Sequence, residues 1–246
     1  MMNKKIIVIP ARMQSTRLPG KPLIKIAGKT ILERVYLKCL KVMDKKNIYV
    51  ATESKEIVNF CKIKEIKCVN TGKAKTALDR IGQFSYFIDA DIYINVQGDE
   101  PVINLKDIRK IVNLKNFYKN KVVFGKAKCN QKTFNDYSKA KVVVGQKNKV
   151  LYSGRGQIPL TNSGKFSQAQ KAVWIYSLPK KLIRKYLQNG QSKLEKIEGN
   201  EILRFLEMGI DTYAVDLIGD NWAVDEKKDL RVVEKILSKK KYKKLS

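Results

Sequence analysis

Along the first half of the chain, short Ile- and Val-rich runs alternate with stretches whose apolar positions recur every three or four residues. "KIIVIP" predicts a first strand. "TILERVYLKCLKV" predicts a helix, with Thr30 as N-cap and Glu33 three residues on. "NIYVAT" predicts a second strand, "SKEIVNFCKIK" a helix and "KCVNT" a short third strand. "TALDRIGQFSYFI" reads as helical, and "DIYINVQGDEP" as a strand ending in a loop. "NLKDIRKIVNLK" reads as a helix capped by Asn104. This alternation predicts an α/β fold with a mostly parallel sheet and helices on both faces.

The pattern changes in the second half. "KVVFGKAKC", "KAKVVVGQKNKVLYSG" and "KAVWIYSL" predict strands, with "GQKN" as a hairpin-like turn. "LPKKLIRKYLQ" and "NEILRFLEMG" predict helices, the second stopped by Gly209. "IDTYAVDL" predicts a strand, and "DEKKDLRVVEKILSKKKYKK" a final helix that frays into a basic tail. No Pro-, Gly- or Ser-rich linker interrupts the pattern, so one domain, residues 1–246, with an inserted antiparallel section is the simplest organisation.

Composition narrows the chemistry. Hydrophobic residues make up 43% of the chain, enough for a sizeable core. No apolar run reaches the length of a bilayer span. The apolar run near the N-terminus is too short for a signal peptide, which predicts a cytoplasmic protein. Cys39, Cys61, Cys68 and Cys129 lack metal-binding spacing and read as ordinary thiols. The net charge of +28 comes largely from lysines scattered over the whole chain. It suits an anionic small substrate better than a nucleic acid. The chain has no histidine, which excludes Ser-His-Asp and Cys-His nucleophilic sites and histidine-based metal sites. Carboxylates, Lys, Arg or a hard metal must carry any reaction.

Three segments could do so. "ARMQSTRLPGKPL" follows the first strand directly, where ligands sit in an open α/β sheet. Arg12, Arg17 and Lys21 can neutralise a polyphosphate there, and Gly20 lets backbone approach it. The spacing matches neither GxxxxGK[ST] nor GxGxxG. "NVQGDEP" delivers Asp99 and Glu100 at a strand end, as a metal site or as a surface turn. In "WAVDEKKDL", Asp225 is either a second metal ligand or a helix N-cap, and in isolation the cap is favoured.

Together these residues resemble the CMP-Kdo synthetase family, the 3-deoxy-manno-octulosonate cytidylyltransferases. "IPARMQSTRLPGKPL", "IAGKTILERV", "VATESKEI", "INVQGDEP", "YSGRGQIPL", "KLEKIEGNEILRFLEMGI" and "AVDEKKDL" follow the family's motifs in order. The resemblance implies a Rossmann-like nucleotidyltransferase fold, usually dimeric, and transfer of CMP from CTP to a sugar acid with release of pyrophosphate. It implies Arg12, Lys21, Asp99 and Asp225 as catalytic residues, with Asp99 and Asp225 holding Mg²⁺. It places Ala11, Arg12, Ser15, Arg17, Lys21, Arg80 and Gln97 around the nucleotide. Gln97, Arg155 and Glu201 would face the sugar acid, with Arg155 on its carboxylate. The family setting is surface polysaccharide, either lipopolysaccharide or capsule.

The chain also departs from the family pattern. "TALDR" stands where the family has S-G-T-D-R, which predicts crowding by Ala77 or Leu78 at the nucleoside. "AVWIYSL" stands for "HIGIYAY", with Ala172, Trp174 and Leu178 replacing histidine, glycine and tyrosine. A more apolar pocket predicts an acceptor that is Kdo or a related acid, with a less hydroxylated or amino-substituted acid favoured. Alternatives are a spore-coat-polysaccharide-type or nonulosonate nucleotidyltransferase, a non-catalytic nucleotide-binding descendant of the fold, or a charge-driven nucleic-acid binder.

Overall fold

The computed structural model describes residues 3–15, 17–220 and 222–239. The first strand, β1 (Lys5–Pro10), is buried on both faces. Ile7 and Ile9 join one apolar layer, while Ile6 and Val8 join the other. A strand covered on both sides has to be apolar throughout, which is why "IIVI" shows no alternation. A small hairpin of β2 (Lys25–Ile26) and β3 (Lys29–Thr30) leads into α1 (Ile31–Leu40). Thr30 caps that helix as predicted, its side chain accepting from the Glu33 N–H.

The βα alternation continues through β4 (Ile48–Thr52), α2 (Lys55–Ile63), β5 (Cys68–Asn70), α3 (Ala77–Phe84), β6 (Ile92–Val96) and α4 (Leu105–Val112). Strands β5, β4, β1 and β6 lie side by side and parallel. Then come β7 (Val122–Cys129), a short α5 (Gln131–Asn135), β8 (Lys141–Val144), β9 (Val150–Gly154) and the long β10 (Ala169–Pro179). The chain continues through α6 (Lys180–Asn189), α7 (Lys193–Glu198), α8 (Ile202–Glu207), β11 (Thr212–Asp216) and α9 (Lys227–Ser238).

The sheet order is β11-β7-β10-β6-β1-β4-β5, with β8 and β9 branching from β10. Within that order β10 is the antiparallel member, pairing with β6 on one side and β7 on the other. The predicted parallel sheet with an antiparallel insertion is therefore present in one continuous sheet. One apolar layer packs α1, α2 and α4 against the sheet, and the other packs α3, α6 and α8.

Some local expectations change. Helices α5 and α7 are added to the expected elements; at five and six residues they are too short to display a helical period. "GQKN" does join antiparallel β8 and β9 as expected, closing as a 3₁₀ turn over Gln146–Asn148 with Lys147 and Asn148 at positive φ. The last helix ends at Ser238, and Lys239 is extended. The basic tail expected to prolong it lies outside the described residues.

Candidate active site

The exit of β1 turns into the cationic loop, and local contacts give that loop its shape. Ala11 is buried and donates its N–H to the Ala51 carbonyl at 3.0 Å, continuing the β1–β4 ladder. The Met13 N–H reaches Ser54 Oγ at 3.1 Å, and the Met13 carbonyl accepts from the Gly20 N–H at 3.0 Å. Ser15 Oγ accepts from the Leu18 N–H at 3.4 Å, closing a turn. Gly20 sits at φ 71°, in the left-handed region that glycine enters most readily, and directs the chain into the 3₁₀ turn Lys21–Leu23. An open cavity of about 620 Å³ is lined here by Arg12, Met13, Gln14, Ser15, Pro19 and Gly20. Arg12 is exposed at its edge.

Lys21, directly after Gly20, reaches two carboxylates. Its Nζ lies 2.8 Å from Asp99 Oδ2 and 3.4 Å from Asp225 Oδ1. Arg17 joins them, with one guanidinium nitrogen 3.3 Å from Asp225 Oδ1 and the other 3.7 Å from Glu226. The two acidic residues that the sequence could not bring together therefore share one ammonium.

Each carboxylate is placed by its own element. Asp99 follows β6 through Gly98, where a Cβ would stand 2.6 Å from the Pro10 carbonyl oxygen. Only glycine lets the exits of β1 and β6 come this close. The Asp99 carbonyl accepts from the Val224 N–H at 2.9 Å, which stitches the C-terminal segment to the end of β6. Asp225 is not the cap of α9; Glu226 is. Asp229 organises the turn, accepting from the N–H groups of Asp225 at 2.9 Å and Glu226 at 2.8 Å, and from Trp222 Nε1 at 3.2 Å. Burial alone would raise the Asp229 carboxyl, but these three donors hold it below the usual carboxylate range. The cap reading of Asp225 fails because Glu226 and Asp229 form the capping box, leaving the Asp225 carboxylate for the cations.

Other predicted residues occupy different roles. Arg80 is 2% exposed and ion-paired with Glu53, and it donates to Thr71 Oγ1 at 2.9 Å and the Gly72 carbonyl at 3.2 Å. Burial lowers its guanidinium pKa most, Glu53 opposes the shift, and nearby Arg12 adds to it. Its position is that of a brace behind the loop rather than a free phosphate ligand. Gln97 is half-buried between Val96 and Gly98, and its carbonyl accepts from the Glu100 N–H at 3.4 Å.

Arg155, expected on the acceptor's carboxylate, is engaged by backbone. It donates to the carbonyls of Glu198 at 2.8 Å, Ser138 at 2.8 Å, Gly199 at 3.2 Å and Tyr137 at 3.5 Å. It ties loops together because β9 ends where the α7–α8 junction passes. Glu201, expected against the sugar acid, turns to α3 and accepts from the Ala77 N–H at 2.6 Å and the Leu78 N–H at 3.4 Å. Its carboxyl is pushed up to about 7 by burial, against the lowering effect of those two N–H groups.

At the "TALDR" turn the two residues expected to crowd a nucleoside differ in placement: Leu78 is fully buried beneath α3, and only Ala77 is part-exposed. Among the pocket departures, Leu178 pairs opposite Tyr93 and is core. Ala172 and Trp174 extend beyond the last β10–β6 pair, Ile175 with Val96, on the side where Asp99 emerges. Trp174 lies in a register shift of the β10–β7 ladder and stacks on Phe124 and Tyr176.

Several structural partners were missed, namely Glu53, Thr71, Glu195, Arg204 and Asp229. One signal was available: "ILRFL" holds a single arginine inside an otherwise apolar helical turn, and that Arg204 is 0% exposed. Among the described residues, no group of three His, Cys, Asp or Glu could hold a metal, and no helix is long and apolar enough to cross a membrane.

Comparison with known proteins bears on the fold and the family. A family model described as Cytidylyltransferase matches residues 6–212. The chain is 33% identical over 236 residues to the 3-deoxy-manno-octulosonate cytidylyltransferase of Koribacter versatilis, covering 95% of this chain and 90% of that one. It is 32% identical over 235 residues to the 8-amino-3,8-dideoxy-manno-octulosonate cytidylyltransferase of Shewanella pealeana, covering 93% and 96%. The solved structure of a CMP:2-keto-3-deoxy-manno-octonic acid synthetase complexed with CTP superposes with a TM-score of 0.87 at 29% identity, covering 96% of this chain and 98% of that one. With a matching family model over most of its length and relatives above 30% identity across nearly all of it, the chain belongs to the cytidylyltransferase family.

Proposed function

We propose that the protein couples CTP to a 2-keto-3-deoxy sugar acid, giving a CMP-sugar and pyrophosphate. The observation that carries this reading is the meeting of Lys21, Asp99 and Asp225 at the exits of β1 and β6, beside a cationic, glycine-containing loop. Phosphoryl transfer needs chiefly positioning and charge stabilisation, and a site without histidine can supply both.

In this mechanism Arg12, Arg17 and Lys21 bind the triphosphate. Lys21 exchanges its carboxylate partners for phosphate oxygens and stabilises charge that develops at the α-phosphorus. Gly20 and the backbone of the loop allow close approach. Arg80 holds the segment behind the nucleotide, and Gln97 borders the acceptor. The anomeric hydroxyl gives up its proton to solvent and attacks the α-phosphorus in line, the bond to the bridging oxygen breaks, and pyrophosphate leaves.

Two hard carboxylates, both partly exposed and within reach of one ammonium, fit Mg²⁺, which is commonly bound by one or two carboxylates together with substrate phosphates. Asp99 and Asp225 would hold it. When bound, the ion would neutralise phosphate charge and lower the pKa of the attacking hydroxyl.

The likeness to relatives that act on Kdo and on its 8-amino analogue supports these acids as acceptors. By the same likeness the product feeds surface-polysaccharide synthesis, and the enzyme works in the cytoplasm. The resemblance further implies a homodimer.

The test is pyrophosphate release with CTP, Mg²⁺ and a panel containing Kdo, 8-amino-Kdo and nonulosonates, alongside the other three nucleoside triphosphates. Release is expected with CTP and one octulosonate, and Asp99→Asn should lower kcat by roughly 10²–10³-fold. Equal release with any nucleotide, or undiminished turnover in the variant, would refute the reading.

A further inference from the structure

Besides the hold of Arg80 on Glu53 and Thr71, the first turn of α3 receives two further sets of contacts from one stretch of chain at the start of α8. The helix caps itself at its third residue, where Thr76 Oγ1 accepts from the Asp79 N–H at 3.1 Å. That bond leaves the N–H groups of Ala77 and Leu78 to find other partners. Glu201 Oε1 takes both, at 2.6 and 3.4 Å. Three residues later, Arg204 reaches the Asp79 carboxylate, with one guanidinium nitrogen at 2.6 Å and the other at 3.4 Å. Residues three apart on a helix share a face, so a single turn grips both the backbone and the side chain of α3.

The grip is itself held. Arg204 is 0% exposed and makes a bidentate pair with Glu195 of α7, both bonds at 2.6 Å. The Tyr186 hydroxyl from α6 shares its one proton between Glu195 at 3.2 Å and the Glu201 carbonyl at 3.3 Å. On the far side, Asn200 donates to the Ser153 carbonyl at 3.1 Å, anchoring the same stretch on β9. A buried Asp–Arg–Glu trio is a poor device for stability alone, since apolar packing of similar volume does as well. Its distinguishing property is directional. It fixes where the first turn of α3 stands relative to the sheet.

We propose that Glu201 and Arg204 are positioning residues for nucleotide binding. They set the "TALDR" turn in the place where it receives the nucleoside, and Glu201 does so without touching the acceptor. The proposal rests on the cytidylyltransferase reading of that turn.

The test uses the full chain with Glu201→Ala and Glu201→Gln. Amide hydrogen exchange over residues 76–84, without nucleotide, reads the grip itself. CTP affinity by calorimetry without acceptor, and acceptor KM at saturating CTP, read its use. Glu201→Ala should speed exchange of the Ala77 and Leu78 amides by about tenfold and weaken CTP binding by a similar factor, the cost of a lost hydrogen-bond acceptor. Its acceptor KM should stay within about twofold of wild type, the span of ordinary surface effects. Glu201→Gln keeps an accepting oxygen and should restore both readouts. Unchanged CTP affinity with a raised acceptor KM would overturn the proposal and make Glu201 an acceptor contact. Unchanged exchange in Glu201→Ala would overturn the grip. If the wild type binds a different nucleoside triphosphate, the cytidylyl reading fails, and the same comparison with that nucleotide decides the proposal. If it binds none, both fall.

Discussion

The Lys21 ammonium holds two carboxylates that reach it from distant parts of the chain, and Gly98 makes the meeting possible by removing the Cβ that would strike Pro10. Both residues stood out in the sequence, because a lysine after a glycine turn and a Gly-Asp pair at a strand end are visible patterns. Their distances were not visible, since nothing local to either motif encodes the other. Glu201 shows the opposite limit. Its place in a motif suggested a ligand contact, but its carboxylate faces the N–H groups of α3. The raised carboxyl, about 7 against an ordinary value near 4.5, has a consequence for stability. A carboxyl that keeps its proton longer when folded contributes its full stability below the unfolded value, and loses it as pH climbs through the folded one. The charged and titratable groups near it are Asp79, Tyr176, Tyr186, Glu195 and Arg204. Wild type should therefore lose stability relative to Glu201→Gln between about pH 4.5 and pH 7, by ~3 kcal/mol at most. Urea unfolding at a series of pH values reads this directly, and a pH-independent difference between the two proteins would contradict it.

Strand β10 shows how one element can serve both core and site. Its lower half, from Ile175 to Pro179, is core between β6 and β7. Its upper half passes the end of β6 and rises beside the residues that follow it. The register shift between Val173 and Tyr176 falls at this boundary and turns Trp174 onto Phe124 and Tyr176. Bulges commonly re-aim side chains beside active sites. Trp174→Gly should therefore act twice. It should cost ~3 kcal/mol of stability from lost aromatic packing, and change the ratio of kcat/KM for Kdo and 8-amino-Kdo by about tenfold. Loss of stability with an unchanged ratio would assign the indole to the core alone. Most strands and the longer helices were legible as periods of two and 3.6 residues and as cap residues. The register shift was not, because "AVWIYSL" reads as an unbroken apolar strand. Helices α5 and α7 escaped for want of length, and with α7 went Glu195, half of the hold on Arg204.

Across the whole molecule, a charge of +28 creates a field that reaches a triphosphate before any contact forms. Salt screens such a field over roughly 10 Å at 0.1 M. The value of kcat/KM for CTP should fall several-fold between ~20 and ~200 mM salt, with kcat at saturation nearly constant. Stopped-flow nucleotide binding would locate the loss in the association rate. An unchanged association rate would mean that the lysines are spread too evenly to steer. The fold class was legible because the β-α alternation is a property of the entire sequence. The position of β10 was not, since it returns between β6 and β7 from a segment beyond both.

One contact also sets an order in time. Lys21 and Asp225 are 204 positions apart, so their meeting waits on almost all of the intervening synthesis. A polypeptide still emerging from the ribosome owns its cationic loop early and Asp99 midway, but has only one acidic partner for the lysine. On the proposed reading, such a nascent chain can attract polyphosphates but cannot turn them over. On that reading catalysis begins only when the segment after β11 is threaded back across the exit of β6, so an element made long after the cationic loop is the one that switches it on.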